Sequence, residues 1–101
     1  MQILTTSQGD VHELVLVGRV DGEGADQLEV SLLKTVAAGA KNVTVEMSEV
    51  TFFCSAALRA ILQHWRQLQH KGGSLHVANP SGDAMTLLST SGFKDLLIKR
   101  S

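Results

Sequence analysis

The sequence predicts an α/β fold: a mixed, mostly parallel sheet of four to five strands covered by helices, formed by residues 1–101 as one domain. Three observations carry this. Short apolar or alternating runs recur at residues 14–17, 43–47 and 75–78. Between them lie stretches whose apolar residues fall at i, i+3, i+4 and i+7, the period of a helix with one buried face. Only the first two strands lack an intervening helix, and Gln8-Gly9-Asp10 between them supplies tight-turn chemistry. The chain thus opens with a hairpin and continues with crossovers, which generate parallel neighbours.

Taken in order, residues 1–7 form a short first strand and residues 11–20 a second. The run Leu14-Val15-Leu16-Val17 has no polar alternation, which predicts cover on both faces. Asp21-Gly22-Glu23-Gly24 breaks that strand and opens a helix with Ala25, Leu28, Leu32 and Val36 on one side and Gly39 at its end. Residues 43–47 alternate and are rich in β-branched residues, a strand signature. A polar turn and a second apolar patch, residues 50–53, follow. The central helix carries Leu58, Ile61, Leu62, Trp65 and Leu68 as its buried stripe and ends at Gly72-Gly73. Asn79-Pro80-Ser81 turns into a last helix capped by Ser81, with Asp83 in its first turn. Ala84, Leu87 and Leu88 form its inner side, Ser91-Gly92 its end. The class of Leu96-Leu97-Ile98 stays open.

Composition narrows the function. With 44% hydrophobic and 19% charged residues the chain is globular and can bury a modest core without disulfides or metals. A formal net charge of -1 argues against nucleic acid as the main partner. The single cysteine excludes an intramolecular disulfide and points to a reducing compartment. No stretch has the length of a membrane span and no leader pattern opens the chain, so a cytoplasmic location is expected. Membrane association would have to come through a partner. Repeats, linkers and low-complexity segments are absent from the sequence.

Catalytic and cofactor motifs are absent too. The four histidines, His12, His64, His70 and His76, show no paired metal spacing; His64 and His70, six apart, are too far around and along a helix to share an ion. Gly22 and Gly24 lack the pattern and the lysine of a phosphate loop. No enzyme activity, metal or cofactor is expected. The informative stretch is the start of the central helix. Ser55 stands where an N-cap belongs, just before the periodic residues. Arg59 follows one turn later, and helical side chains tilt toward the N-terminus, so its guanidinium points back toward Ser55. Arg59, Gln63, Arg66, Gln67, His70 and Lys71 form the polar side of the helix. Cys54 is read as a small packing residue, with a reactive thiol beside the helix N-terminus as the rival reading.

Several stretches together resemble the STAS domain family, the sulphate-transporter and anti-sigma-factor-antagonist domain. They are Gly18-Arg19-Val20-Asp21 after an early strand, Ser55 and Leu58 at the central helix, Gly72-Gly73 before a late strand, and Leu87-Leu88 through Gly92-Phe93. The family's aspartate-serine-serine-glycine-leucine element departs here to Cys54, Ser55, Ala56, Ala57 and Leu58. The resemblance implies a binding protein. In the leading reading it is an anti-sigma-factor antagonist that sequesters an anti-sigma factor of the serine-protein kinase class, with Ser55 the candidate phosphorylation site. The partner-binding candidates are Asp21, Cys54, Ser55, Ala56, Arg59 and Gln63. The alternative is a STAS subunit bound to the ATPase of an ABC lipid-transport complex. A third reading is a redox sensor using Cys54.

Overall fold

The computed structural model describes residues 1–80, 82–92 and 97–98, the last two through their backbone. In chain order the elements are β1 (Gln2–Gln8), β2 (Val11–Val20), α1 (Gly22–Ala37), β3 (Asn42–Phe53), α2 (Ser55–His70), β4 (Ser74–Ala78), α3 (Asp83–Thr90) and β5 (Leu97–Ile98). The sheet is mixed, in the order β1-β2-β3-β4-β5. β1 and β2 form the expected antiparallel hairpin, with Gly9 at φ 64° giving the left-handed geometry of a two-residue turn. All later neighbours are parallel. The expected fold class is the one observed.

Spatial order equals chain order from β2 to β5, so right-handed crossovers bring α1, α2 and α3 to the same face of the sheet. They pack there as one layer, α1 on α2 and α2 on α3. The core lies between that layer and the sheet. Leu14 and Leu16 of β2, Val43, Val45 and Met47 of β3, and Leu75 and Val77 of β4 meet Leu28, Leu32, Ile61, Leu68 and Leu88 from the helices.

This arrangement corrects two readings of the strands. The continuous apolar run of β2 has one fully buried face, Leu14 and Leu16, while Val15 and Val17 on the other are only half-buried. Conversely, the alternating strand β3 is buried on both faces at its centre, Thr44 and Glu46 included, because it lies in the middle of the sheet. Glu46 meets that burial with hydrogen bonds: its carboxylate accepts from the Ser48 backbone N–H at 2.7 Å and from Asn79 Nδ2 at 2.8 Å. No turn separates residues 43–47 from 50–53. β3 runs through, absorbing its extra residues as two register shifts against β2, between Val15/Val17 and between Gly18/Arg19.

The helices also differ in detail. On α2 the buried residues are Ala57, Leu58, Ala60, Ile61, His64 and Leu68, while Leu62 and Trp65 flank the core partly exposed. The stripe is therefore centred on Ile61, one residue round from the expected centre. α3 has Gly82 as its N-cap residue, with Asp83 in the first turn; Ala84 and Leu88 are buried and Leu87 half-buried. Ser81, Phe93 and Leu96 lie outside the described residues, whereas Leu97–Ile98 pairs with β4 as a two-residue strand. Gly73 closes the α2–β4 turn where the chain passes Lys41, and a Cβ there would overlap the Lys41 carbonyl oxygen.

Ile61 is 0% exposed. Ile61→Ala should therefore cost about 2–5 kcal/mol, the range for cavity-forming core truncations. Leu62→Ala, at a half-buried position, should cost clearly less. Urea unfolding of the two variants measures the difference, and equal losses would refute this placement of the stripe.

Candidate functional site

The site is built by the parallel pairing of β2 with β3. Val20 and Phe53, the last residues of these strands, are register partners. The residue after each, Asp21 and Cys54, is the N-cap of α1 and α2 respectively. The Cys54 N–H donates to the Val20 carbonyl at 3.0 Å, tying one cap to the other strand. Two helix N-termini thus begin side by side at the carboxyl edge of the sheet. Beside them the Arg19 guanidinium lies 4.5 Å over the Phe52 ring, a cation–π contact across the same strand pair.

The two N-termini are finished differently. The Asp21 carboxylate accepts a hydrogen bond from the Gly24 N–H at 3.0 Å. That bond is the main reason its carboxyl is held below the ordinary aspartate value, with a smaller contribution from the Arg19 charge. Cys54 has extended backbone (φ -97°, ψ 163°), and its carbonyl accepts from the Ala57 and Leu58 N–H groups at 3.2 and 3.3 Å. It is therefore the cap position by geometry, but its thiol makes no capping bond. The first turn of α2 also lacks an acidic residue. Ser55, expected at the cap, is instead the first residue inside the helix. It is exposed, and among the described residues its hydroxyl has no hydrogen-bond partner.

Ala56, Arg59 and Gln63 fall on one stripe of α2 and line a shallow groove against Ala25, Asp26 and Glu29 of α1, with Ala60 in its wall. Small residues on both helices allow close approach there. The groove has acidic groups on the α1 side and Arg59 on the α2 side, yet no ion pair joins them among the described residues. Of the residues singled out from sequence, Ala56, Arg59 and Gln63 thus come together in the groove. Asp21, Cys54 and Ser55 form the adjoining helix-start surface.

Two parts of this region were not anticipated. Asp26 and Glu29 form the opposite wall; their signal was an i, i+3 acidic pair flanking the buried stripe of α1. His64 is 1% exposed, and its Nε2 lies 3.2 Å from Glu29 Oε2, joining α2 to α1 behind the groove. Nε2–H donates to the carboxylate, and Nδ1 is buried without a partner among the described residues. The signal for His64 was its spacing, since Ala57, Ile61, His64 and Leu68 repeat at four, three and four residues. Among the described residues no group of three or more His, Cys, Asp or Glu could hold a metal ion, and no helix is long and apolar enough to cross a membrane.

The caps can be tested separately. Asp21→Asn should retain most of the stability that Asp21→Ala loses, because an amide oxygen still accepts from Gly24. The advantage of the carboxylate over the amide should be complete above the ordinary aspartate range. It should vanish as pH falls through the depressed folded-state value, since the depressed group favours the folded state only when ionised. Urea titrations of wild type and Asp21→Asn across acidic pH measure this. At the other helix, Cys54→Asp introduces an oxygen acceptor where the thiol makes no bond, and should raise unfolding stability by about 1 kcal/mol. No gain would mean that these N–H groups are already satisfied by solvent at no cost.

Comparison with known proteins fits this geometry. A family model described as the Mlab STAS domain matches residues 3–99. No curated protein matches the sequence. Among solved structures, the anti-sigma factor antagonist SpoIIAA in its unphosphorylated form superposes with a TM-score of 0.88 at 17% identity, covering 99% of this chain and 89% of that one. The Bacillus cell fate determinant SpoIIAA in its phosphorylated form gives 0.83 at 17% identity, covering 99% and 92%. An anti-sigma factor antagonist from Mycobacterium paratuberculosis gives 0.85 at 18% identity, covering 97% and 83%. At these identities the structures establish a shared fold, and the sequence model spans nearly the whole chain: the protein belongs to the STAS domain family.

Proposed function

We propose that the chain is a non-catalytic, cytoplasmic partner-switching protein of the anti-sigma-factor-antagonist kind, binding an anti-sigma factor of the serine-protein kinase class. Its binding surface is the helix-start face formed by Asp21, Cys54 and Ser55 with the adjoining stripe Ala56, Arg59 and Gln63. The observation that carries the reading is the state of Ser55: exposed, first in α2, and with a hydroxyl that no capping bond engages. A capping serine would have its hydroxyl engaged by a backbone N–H. This one is presented, with Arg59 one turn further along the helix.

Phosphorylation is also electrostatically well placed. α2 begins with an uncapped N-terminus and no acidic residue in its first turn, so a phosphate would supply the negative charge that the helix lacks. It adds about -1.5 to -2 charges and a strongly hydrated group. The free domain tolerates that charge, whereas a packed interface must desolvate it. The modification would therefore act on binding with little effect on folding.

The test begins with affinity capture from native cells and mass spectrometry, then titration calorimetry of the recovered partner. Ser55→Asp and Ser55→Glu should keep the melting temperature at or slightly above wild type and weaken binding at least about a hundredfold, equivalent to about 2.7 kcal/mol. Ser55→Ala should bind as wild type and take up no phosphate from ATP. Acidic variants that bind like wild type would remove the switch. Recovery of an ABC transporter ATPase in place of a kinase would move this surface to the lipid-transport reading, and rapid alkylation of Cys54 in the native protein would move it to the redox reading.

A further inference from the structure

The edge of the sheet formed by β1 is a second interaction surface, distant in sequence from the helix-start face. Among the described residues β1 pairs with β2 alone, on one side, through an unbroken register from Gln2↔Val17 to Gln8↔Val11. Its other side is free, with the backbone N–H and C=O groups of alternate residues, Ile3, Thr5 and Ser7, directed outward along a seven-residue strand. Proteins usually blunt such edges with charges, proline, bulges or very short strands. β1, with the sequence QILTTSQ, has none of these devices. Beside it a mostly apolar groove runs between the strand and α1, lined by Met1, Ile3, Asp26, Gln27, Val30 and Ser31, with Val30 49% exposed. Leu4, on the opposite face of the strand, is 53% exposed.

We infer that β1 is the interface of a homodimer in which two copies pair edge to edge, antiparallel, across a twofold axis through Thr5. Thr5 is the centre of Gln2–Gln8, so this register uses the whole strand. It sets Gln2 opposite Gln8 of the second copy, Ile3 opposite Ser7, Leu4 opposite Thr6, and Thr5 opposite itself. No charged residue meets another, because the strand contains none. Each Leu4 acquires the other Leu4 as a diagonal neighbour, within the reach of long side chains across antiparallel strands. The axis stands normal to the sheet, so both helical layers lie on one side and the two apolar grooves beside α1 face each other over the joint. The second copy is the fitting occupant because the strand is complementary to itself in backbone polarity, charge and register.

The two copies leave their α2 starts free and directed toward opposite ends of the joined sheet, since their parallel strands run in opposite directions. The dimer would thus present two separate copies of the helix-start face. The joint forms whatever that face binds.

Sedimentation equilibrium of the full chain over a dilution series tests it. Wild type should be a dimer dissociating on dilution. Thr5→Asp, which places two carboxylates opposite each other at an exposed position, should raise the dissociation constant about tenfold or more, with unchanged circular dichroism and melting temperature. In a Cys54→Ala background, Thr5→Cys should oxidise to a disulfide-linked dimer, because directly opposed strand residues meet the distance a disulfide requires. Leu33→Cys, exposed on the outer side of α1, should remain monomeric under the same oxidant. A monomeric wild type, a Thr5→Asp chain as dimeric as wild type, or equal cross-linking at Leu33 would each overturn the inference.

Discussion

Val20 and Phe53 end two parallel strands at the same level, and the backbone bond from Cys54 N–H to the Val20 carbonyl fixes that level. Much else depends on this pairing. Parallel strands place both carboxyl ends on one edge, so the helices that follow must start there together. α1 and α2 then return over the same face and pack along their length, which creates the groove and brings His64 to Glu29. A slip of one residue between β2 and β3 would exchange Val43, Val45 and Met47 for Thr44 and Glu46 on the core side. The core and the helix-start face therefore rest on one register.

Within that frame the two helix starts are unequal. α1 carries its own carboxylate at the cap and Glu23 in its first turn. α2 carries neither. The field of an unscreened helix N-terminus reaches only about its first turn, where Ser55 is located. Negative charge brought there, by modification or by an acidic partner group, meets N–H donors that the chain's own side chains leave unused. The asymmetry leaves one helix start satisfied by its own side chain and the other without a side-chain cap.

The parts of the molecule that were legible in the sequence are those governed by local periodicity. The hairpin, the three helices, the strand before Asn79 and the turn glycines all follow from patterns within about a dozen residues. What local pattern could not supply was position within the sheet. Val15 and Val17 look as apolar as Leu14 and Leu16, but only the latter face the helical layer. Glu46 looks like a solvent-facing residue, yet β3 is central and the carboxylate is buried with donors from Ser48 and Asn79. The cap of α2 was misplaced by one residue because serine has strong cap propensity, while the backbone turns helical only after Cys54. The role of His64 was not legible, because a histidine inside an apolar stripe reads as an interruption until Glu29, 35 residues away, is seen beside it. Gathering Ala56, Arg59 and Gln63 into one face needed only helical spacing. Finding what faces them needed the tertiary fold.

The monotonic strand order has a kinetic consequence. Each strand joins the edge made by the one before it, so no strand must be inserted between two partners already formed. Every pairing closes a segment of chain no longer than one crossover, and loop-closure entropy grows only slowly with such lengths. Parallel pairing across a whole crossover is slower than local pairing, so the hairpin forms ahead of the strands that follow. The sheet can also be laid down in the order of synthesis: the hairpin first, then β3 with α1, then β4 with α2. During that growth the exposed edge belongs to the newest strand and is covered by the next, whereas β1 remains at the border from the first step to the last.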